Sequence, residues 1–592
     1  MAASDQLLPL LKQHFGFDGF RGRQADVLNR VMSGANTLAI MPTGAGKSLT
    51  YQLPALALDG TVVVISPLIA LMHDQLRSAE AVGIRAATLT SADSNRAETI
   101  ARLQDGALDL LYVAPERASQ PGFAALLERV RVALFAIDEA HCVSEWGHDF
   151  RPDYRLLGSL LDRFADVPRL ALTATADAAT RRDVAAQLGI PDEGVIVAGF
   201  DRPNIRYAIT PRVRLGDQLA ELVRGEDGPG IVYAPTRDAT ERIAAGLTRT
   251  TGRPVRIYHA GLEPAMRAAH QAAFVSSEEM VMVATIAFGM GIDKPDVRFV
   301  AHAALPKSIE AYYQETGRAG RDGDPAKATL FWAADDFGKA RRRLDEVPEA
   351  RRAGERARLA AMAGLVEATS CRRAILLRYF GEEPPASCGN CDVCLHGVAT
   401  QDATELARKL LSAVYRTGQS FGMGHLTRVL TGAGDERVTA RGHDQLSVFG
   451  IVAANEAALL PRVAQALIAR DALGQTEHGG LALGPAARAI LKGEVAVEVA
   501  PAPPRRSRRD RGAAGGLNPV GDPLFDALRD RRRGLAAEAG VPPYVIFHDS
   551  VLRDMAGLKP TTLRALGELP GVGARKLDQW GEAFLEVIRG FE

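Results

Sequence analysis

Two short segments, about 90 residues apart, constrain the fold of this chain more than any other feature. Residues 41–48 read MPTGAGKS, and residues 137–141 read IDEAH. The first suits a loop whose glycines let backbone N–H groups approach phosphate oxygens, with Lys near the terminal phosphates and Ser offering a hydroxyl to Mg²⁺. The second places an acidic pair after an apolar run, where Asp can hold the same Mg²⁺ and Glu can polarise a water. Together they predict a nucleotide-hydrolysis site in an α/β sheet.

Individual residues of these segments receive candidate roles. Ser48 and Asp138 are predicted to bind Mg²⁺, and Glu139 is predicted to polarise the attacking water. His141, at the end of the second segment, joins the predicted catalytic set. Met41 departs from the usual phosphate-loop pattern, which begins with Gly. The residues predicted to bind the nucleotide phosphates are Thr43, Gly44, Ala45, Gly46, Lys47 and Ser48, of which Lys47 is also catalytic.

Short β-rich runs alternate with helix-length segments through two consecutive parts of the chain. Apolar runs that precede turns are typical of buried parallel strands in a doubly wound sheet. In the first part they lie at residues 61–66, 108–113, 132–137 and 170–173. In the second part they lie at residues 230–233, 255–258, 280–285 and 299–303, without a further phosphate loop. We therefore expect two α/β lobes with the nucleotide in the cleft between them.

The second part supplies two arginines that suit the same chemistry. Residues 314–321 read QETGRAGR, and the spacing of Arg318 and Arg321 predicts that they share one face of a helix. A guanidinium facing the γ-phosphate stabilises charge in the transition state, which predicts a catalytic role for both. A surface ion pair is the alternative for either arginine. The glycine-rich residues 287–293 (AFGMGID) are a candidate contact for the nucleotide and for a nucleic-acid backbone.

Four of the five cysteines cluster in the sequence. Cys388, Cys391 and Cys394 are each separated by two residues, and Cys371 stands upstream of them. Structural zinc is usually held by four Cys or His ligands with such close spacings. A disulfide is a poor alternative in a reducing compartment, so these four thiols are predicted to bind zinc. Cys142, beside the acidic segment, is predicted to be a small packed residue.

Composition sets the remaining limits. The 592 residues suffice for several domains, and 71 basic residues balance 71 acidic ones, so net charge neither supports nor excludes a nucleic-acid partner. The first residues lack the basic and apolar regions of a secretory signal. No apolar run approaches the roughly eighteen residues of a membrane span. We expect a cytoplasmic protein without a membrane partner.

The motifs, taken in order, resemble those of the RecQ helicases of superfamily two, nearly from end to end. Residues 15–24 (FGFDGFRGRQ) are similar to the family's adenine-recognition element, in which Gln24 would hydrogen-bond the base while Phe17 and Arg21 flank it. The phosphate loop is close to the family form, with Ala45 where Gly is common. Other segments that resemble its strand-contacting and interlobe-coupling motifs are residues 66–75, 112–117 and 172–176.

The most specific part of the resemblance is the aromatic-rich loop at residues 144–152 (SEWGHDFRP). By resemblance, Trp146 and Phe150 offer faces on which DNA bases stack, an interaction of about 1–3 kcal/mol per base. Arg151 adds positive charge. His148 is a candidate relay between bound DNA and the catalytic Glu. These four side chains are the predicted DNA-binding residues.

The rest of the chain resembles the accessory domains of the same family. The cysteine cluster is similar to its zinc-binding subdomain, residues 442–450 (GHDQLSVFG) to its winged helix, and residues 542–547 and 569–576 to its HRDC domain. The glycine turn before Lys576 is either a phosphate seat or a purely structural turn. The expected domains are RecA-like lobe 1 at 1–200, RecA-like lobe 2 at 201–333, a zinc-binding helical subdomain at 334–400, a winged-helix DNA-binding domain at 401–495, a flexible linker at 496–518 and an all-helical HRDC domain at 519–592.

The resemblance implies an ATP- and Mg²⁺-dependent DNA helicase with structural Zn²⁺. It implies 3′ to 5′ movement, unwinding of duplexes, and roles in DNA repair, recombination and replication-fork processing. Expected partners are single-stranded and duplex DNA (forks, tailed duplexes, junctions), with single-strand-binding protein as a candidate, and the expected location is the cytoplasm at the nucleoid. An RNA-remodelling helicase and a DNA-binding scaffold with a vestigial ATPase are the alternatives. Lys47, Asp138, Glu139 and Arg321 are all present, which disfavours the scaffold.

Overall fold

The computed structural model describes residues 3–67, 69–90, 93, 95–144, 151–289, 294–397, 400–476, 480–499 and 522–591. Three predictions fall wholly or partly outside these ranges. They are the DNA contacts of Trp146, His148 and Phe150, the glycine-rich segment from residue 290 onward, and most of the linker at 496–518. Among the described helices, none combines the length with the apolar character that a membrane crossing requires.

The first lobe is built on a parallel sheet of seven described strands. In chain order these are β1 (Thr37–Ile40), β2 (Thr61–Ile65), β3 (Ala86–Leu89), β4 (Leu110–Val113), β5 (Val132–Ile137), β6 (Arg169–Thr173) and β7 (Val195–Val197). Across the sheet they run β3-β4-β2-β5-β6-β1-β7. Most strand residues are buried, as expected when helices cover both faces of a parallel sheet. The phosphate loop follows β1 and the acidic segment follows β5, so β6 alone separates them.

Helices surround this sheet and connect its strands. They are Ala3–Leu10, Leu11–Phe15, Gln24–Met32, Leu49–Ala55, Ile69–Ala81, Arg96–Gln104, Pro115–Ala118, Pro121–Leu127, Ala140–Val143, Pro152–Arg155, Leu157–Arg163, Ala178–Gln187 and Asp192–Gly194. Leu11–Phe15 is a π-helical turn, and Ala140–Val143 and Asp192–Gly194 are 3₁₀ turns.

The second lobe repeats the architecture with six described strands, all parallel. They are β8 (Ile205–Pro211), β9 (Gly230–Tyr233), β10 (Val255–Tyr258), β11 (Val281–Ala284), β12 (Phe299–His302) and β13 (Ala326–Trp332), in the order β10-β11-β9-β12-β13-β8. Its helices are Leu215–Arg224, Arg237–Thr251, Pro264–Ser276 and Ile309–Thr316. The two lobes confirm the predicted doubly wound α/β fold class.

Three smaller units complete the described chain. Around the cysteines lie helices Ala334–Asp345, Glu349–Glu367, Arg372–Tyr379 and Asp392–His396. The next unit contains Thr404–Arg416, Met423–Thr431, Glu436–Thr439, His443–Gln445, Ala457–Leu459, Leu460–Ala469 and Ala487–Leu491, with antiparallel pairs β14 (Gln401–Asp402) and β17 (Glu498–Val499), and β15 (Leu473–Gln475) and β16 (Leu481–Leu483). The last unit packs Pro523–Ala539, Pro543–Ile546, Asp549–Leu558, Leu563–Gly567 and Ala574–Arg589 around its own apolar core.

The structure corrects one local prediction about the two arginines that are predicted to be catalytic. Arg318 and Arg321 do not share a helix face, because helix Ile309–Thr316 ends before them and the chain continues in turns. Gly320 has a φ of +55°, a left-handed conformation that favours glycine, and its N–H donates to the Val297 carbonyl at 2.8 Å. A three-residue spacing suits a tight turn as well as a helix. Both arginines still line the cleft between the lobes.

Candidate active site

The phosphate loop leaves the carboxyl end of β1 and turns at two glycines. Gly44 and Gly46 have φ values of +86° and +75°, in the region that side chains with a Cβ rarely adopt. The loop ends at Ser48, which is the N-cap of helix Leu49–Ala55. The Lys47 ammonium donates to the Met41 carbonyl at 3.3 Å. A glycine turn, a lysine and a helix start in this sequence are the local geometry that a phosphate-binding loop requires.

The acidic segment is held in a fixed conformation at the end of β5. Asp138 accepts a hydrogen bond from the Glu139 N–H at 2.9 Å, and the Tyr154 hydroxyl donates to the Asp138 carbonyl at 2.9 Å. Glu139 has a φ of +48°, which is a strained conformation for a residue with a side chain. Its carboxylate lies 3.4 Å from His141 Nδ1, which also contacts Thr173 Oγ1 at 3.0 Å. These contacts orient the predicted water-polarising carboxylate.

The backbones of the two lobes meet directly across the cleft. A Cβ atom at Gly44 would lie 3.3 Å from Arg321 Cα, and one at Gly317 would lie 3.4 Å from Thr43 Oγ1. A cavity of about 350 Å³ remains at this junction. Its lining includes residues 43–48, Asp138, Glu139, Arg318 and Arg321. Every residue predicted to contact the phosphates or Mg²⁺ therefore lines one cavity, formed by both lobes.

The predicted adenine-recognition residues line the same cavity. The Arg21 guanidinium lies 5.4 Å from the centre of the Phe17 ring. Gln24 Oε1 accepts a hydrogen bond from the Arg21 N–H at 2.8 Å. The amide nitrogen of Gln24 donates to the carbonyls of Ala45 at 3.0 Å and Gly46 at 3.2 Å. Gln24 thus connects the predicted base site to the phosphate loop.

Arg318 is buried where lobe 2 faces the cavity. Its guanidinium Nη2 would lie 3.4 Å from a Cβ atom at Gly289, the last described residue of the glycine-rich segment. The Tyr233 hydroxyl beside it donates to the Phe288 carbonyl at 3.0 Å. Burial raises the pKa of Tyr233 to about 12, so this phenol stays a neutral hydrogen-bond donor at physiological pH. The arginine turn and the glycine-rich segment are therefore in contact.

The four predicted zinc ligands converge in space. The sulfur atoms of Cys371, Cys388, Cys391 and Cys394 lie within 4.8 Å of one another. Cys371 and Cys391 are the N-caps of helices Arg372–Tyr379 and Asp392–His396. Each sulfur of this pair accepts a hydrogen bond from a backbone N–H of its helix, at 3.4 and 3.5 Å respectively. Such N–H groups stabilise the thiolate form that binds zinc.

The protonation chemistry of these thiols fits a bound cation. A hydrogen bond from Ser387 lowers the pKa of Cys394 to about 6. Burial raises the pKa of Cys388 to about 12 and also raises that of Cys391. Burial therefore opposes ionisation of Cys388 and Cys391, and a bound divalent cation would stabilise their thiolate forms. Four sulfur ligands are typical of structural zinc, with no position left for a reacting molecule.

Of the predicted DNA-binding residues, the structure describes Arg151 alone. Its guanidinium donates to the Pro67 carbonyl at 3.0 Å. This contact joins the end of the aromatic-rich loop to the strand-contacting motif at residues 66–75. Trp146, His148 and Phe150 lie outside the described residues, so their DNA contacts stay predictions.

The C-terminal helical unit packs beside the cavity between the lobes. The Gly571 N–H donates to the Gly16 carbonyl at 2.8 Å, next to the adenine-recognition residues. A Cβ atom at Gly573 would lie 2.9 Å from a backbone oxygen of lobe 1. Lobe 1 therefore occupies the space beside the glycine turn before Lys576. This contact favours a structural role for the turn over a phosphate-binding role. His548 of the same unit lines the nucleotide cavity.

Where the same unit meets lobe 2, one carboxylate contacts three arginines. Glu278 oxygens lie 2.7 Å from Arg532 and 3.2 Å from Arg529 and Arg533. We expect Glu278→Ala to weaken docking by about 1.5–3 kcal/mol, the range for hydrogen bonds to charged groups. Small-angle scattering would record this change as a larger radius of gyration. The exposed neighbour Glu279→Ala serves as the control, and an unchanged radius in Glu278→Ala would contradict the docking contact.

Sequence reasoning missed two residues of this region. His548 lies far along the chain from the rest of the cavity, in a segment without a nucleotide-binding pattern. Arg202 stands in the segment DRPN between the lobes, where it contacts both. Pro203 and Asn204, which follow Arg202, are residue types common in exposed turns. Neither residue carries a local signal that distinguishes it from a surface residue.

A phosphate loop and an acidic pair on one α/β lobe, completed by arginines from a second lobe, define the class of two-lobed helicase-type NTPases. Family models match the chain as "DEAD/DEAH box helicase" (residues 21–184), "Helicase conserved C-terminal domain" (215–323), "RecQ zinc-binding" (334–395), "RQC domain" (397–508) and "HRDC domain" (522–588).

Similar proteins cover nearly the whole chain. "ATP-dependent DNA helicase RecQ" of Haemophilus influenzae is 42% identical, covering 98% of this chain and 95% of its own length. The proteins of the same description from Pasteurella multocida and Bacillus subtilis are 41% and 38% identical, each over 98% of this chain and over 93% and 98% of their own lengths. The chain belongs to the RecQ family, as its motifs indicate.

Proposed function

We propose that the protein is an ATP-dependent DNA helicase that moves 3′ to 5′ along single strands and separates duplexes. The observation that carries this proposal is the cavity of about 350 Å³ to which both lobes contribute. A site that is complete only when two lobes meet connects nucleotide hydrolysis to the spacing of the lobes. The direction of movement is proposed from family membership alone.

ATP binding is proposed to use two groups of residues in this cavity. Gln24 hydrogen-bonds the adenine, while Phe17 and Arg21 flank it. Residues 43–48 surround the phosphates, where the Lys47 ammonium neutralises the terminal oxygens. The Gln24 amide already donates hydrogen bonds to two carbonyls of the phosphate loop. An adenine that accepts these hydrogen bonds instead removes that contact from the loop.

Hydrolysis is proposed to depend on the acidic segment. Ser48 and Asp138 would hold Mg²⁺, which supplies charge neutralisation at the phosphate oxygens when bound. Glu139 orients and polarises the attacking water. His141 fixes the Glu139 carboxylate from one side and contacts the interlobe-coupling motif at Thr173. Because His141 contacts both groups, it can transmit a change at the Glu139 carboxylate to the rest of lobe 1.

Coupling to DNA is proposed to run through the interface between the lobes. Arg318 and Arg321 stabilise charge on the transferred phosphoryl group from lobe 2, so hydrolysis requires a closed cleft. Opening and closing of the cleft then alternates the grip of the lobes on the DNA backbone. Trp146, His148, Phe150 and Arg151 are the proposed contacts to the single strand.

The accessory units are proposed to support this motor. The four cysteines bind Zn²⁺ as a structural metal, and the winged-helix unit holds the duplex ahead of the fork. The domain boundaries at residues 200, 333, 400, 495 and 518 remain predictions. Forks, tailed duplexes and junctions are the proposed substrates, single-strand-binding protein is a candidate partner, and DNA repair, recombination and fork processing at the nucleoid are the proposed setting.

A strand-displacement assay tests the whole proposal. Duplexes with a 3′ tail, a 5′ tail or no tail are incubated with the protein, Mg²⁺ and ATP, and released strand is measured. We expect ATP-dependent release from the 3′-tailed duplex, and ATP hydrolysis stimulated by DNA but not by RNA. Release from the 5′-tailed duplex alone would overturn the polarity. Stimulation by RNA alone would favour an RNA-remodelling helicase, and absence of hydrolysis would overturn the enzyme assignment.

A further inference from the structure

The segment between the two lobes contains a buried arginine that contacts both halves of the nucleotide site. Arg202 is only 8% exposed. Its guanidinium donates four hydrogen bonds to backbone carbonyls: Nη1 to Thr43 at 2.7 Å and Gly317 at 2.9 Å, and Nη2 to Ala319 at 2.8 Å and Gly320 at 2.9 Å. Thr43 belongs to the phosphate loop of lobe 1. The other three acceptors lie in the turn of lobe 2 that carries Arg318 and Arg321.

We propose that Arg202 is a positioning residue for ATP hydrolysis: it sets the arginine turn against the phosphate loop, and the zinc-binding subdomain holds Arg202 in place. This inference rests on the proposed function of the cavity. It adds a residue that does not line the cavity itself. It also assigns the zinc-binding subdomain a role in hydrolysis besides folding.

The geometry of the guanidinium suits this task better than any other side chain. Its planar fork presents donors in fixed directions, so four carbonyls around it are held at fixed positions relative to one another. Within the described residues no carboxylate forms an ion pair with Arg202. The dipoles of the four carbonyls therefore stabilise its charge. Movement of either lobe away from Arg202 would leave a buried charge poorly compensated. This cost opposes displacement of the arginine turn relative to the phosphate loop.

A small displacement of the arginine turn has a large catalytic consequence. The carbonyls of Gly317 and Ala319 flank Arg318 in the chain, and that of Gly320 directly precedes Arg321. If Arg202 releases them, both guanidinium groups move relative to the γ-phosphate site. A misplacement of about 1 Å can cost about 100-fold in rate. Arg202 is therefore expected to affect hydrolysis more strongly than it affects nucleotide binding, because nucleotide binding uses residues of lobe 1.

Residues next to the zinc ligands hold the interlobe segment. Arg373 donates to the carbonyls of Pro203 at 3.2 Å and Ile205 at 2.7 Å. Asn390 donates to the Pro203 carbonyl at 3.0 Å. Arg373 lies in the first turn of the helix capped by Cys371, and Asn390 directly precedes Cys391. The two side chains that hold the backbone immediately after Arg202 are thus next to predicted zinc ligands, and bound zinc would restrict their movement.

The first test is Arg202→Lys, which keeps the charge but lacks the planar fork. We expect kcat for DNA-stimulated ATP hydrolysis to fall about 10- to 100-fold. KM for ATP and the affinity for tailed DNA should stay within about threefold of the parent, since ground-state binding is retained. Zinc content should be unchanged. The matched control is Arg242→Lys, which should keep the parent kcat, because Arg242 is an exposed arginine of lobe 2 that pairs with Asp238 at 3.0 Å.

The second test is Arg373→Lys, which weakens the hold on the interlobe segment but leaves all four cysteines. We expect full zinc content with kcat reduced about 10-fold. An unchanged kcat in Arg202→Lys, or a KM effect as large as the kcat effect, overturns the positioning role. An unchanged kcat in zinc-loaded Arg373→Lys overturns the contribution of the zinc-binding subdomain. If Arg202→Lys does not fold, an unchanged kcat in zinc-loaded Arg373→Lys overturns the whole proposal. A parent protein without ATPase activity defeats the proposed function instead.

Discussion

Replacement of Lys47 by Ala is expected to abolish unwinding while the protein still binds single-stranded DNA. The Lys47 ammonium lies in the interlobe cavity, where it is the one lysine of the phosphate loop. Its loss removes positive charge from the terminal phosphates as negative charge shifts during phosphoryl transfer. We expect DNA-stimulated hydrolysis to fall by about 10³-fold or more. Phosphate release, strand displacement and fluorescence anisotropy with a tailed oligonucleotide measure the three properties separately.

Arg321→Ala removes charge from the opposite wall of the same cavity, so it should give the same pattern. Arginine residues of this kind contribute about 10³- to 10⁵-fold in rate. The matched control is Arg242→Ala, because Arg242 is an exposed arginine of lobe 2 that pairs with Asp238 at 3.0 Å. Retained unwinding in Lys47→Ala or Arg321→Ala would contradict the motor assignment. Loss of DNA binding in both would contradict the separation of the nucleotide site from the DNA site.

The central strands of the fold are predictable because their sequences are continuously apolar. Strand β5 (Val132–Ile137) coincides with its predicted range, since six consecutive apolar residues suit a strand covered on both faces. Four further strands lie outside the predicted ranges, namely β1 (Thr37–Ile40), β3 (Ala86–Leu89), β7 (Val195–Val197) and β13 (Ala326–Trp332). Strands β3 and β13 begin with small or charged residues, which weakens the apolar signal. Strand β8 (Ile205–Pro211) lies at a sheet edge and alternates buried with partly exposed residues, which weakens the apolar signal.

The candidate site also has a part that the sequence predicts and a part that it does not. The phosphate loop and the acidic segment are local motifs, so short sequences suffice to predict them. The conformation of the arginine turn depends on partners far along the chain. Arg202 meets the turn across 115 residues at Gly317 and the phosphate loop across 159 residues at Thr43. Helical spacing therefore suggested a helix for Arg318 and Arg321, whereas tertiary hydrogen bonds stabilise a turn.

The second large effect is expected at the zinc cluster, where Cys391→Ser should give substoichiometric zinc and a poor yield of soluble protein. Cys391 is fully buried, caps helix Asp392–His396 and forms a β-bridge to Tyr207 of lobe 2. A serine hydroxyl does not provide the thiolate that zinc prefers. In zinc-finger peptides, metal binding contributes about 10–16 kcal/mol to folding, so loss of one ligand removes a large stabilising term.

The zinc-to-protein ratio, measured by elemental mass spectrometry, tests this prediction. Cys142→Ser is the matched control, because Cys142 is a buried cysteine beside the acidic segment and apart from the cluster. It should retain full zinc even if the substitution lowers stability. Full zinc content in Cys391→Ser would reject Cys391 as a ligand. Reduced zinc in Cys391→Ser, with full zinc in Cys142→Ser, would show that the cluster binds the metal and that folding of this region depends on it.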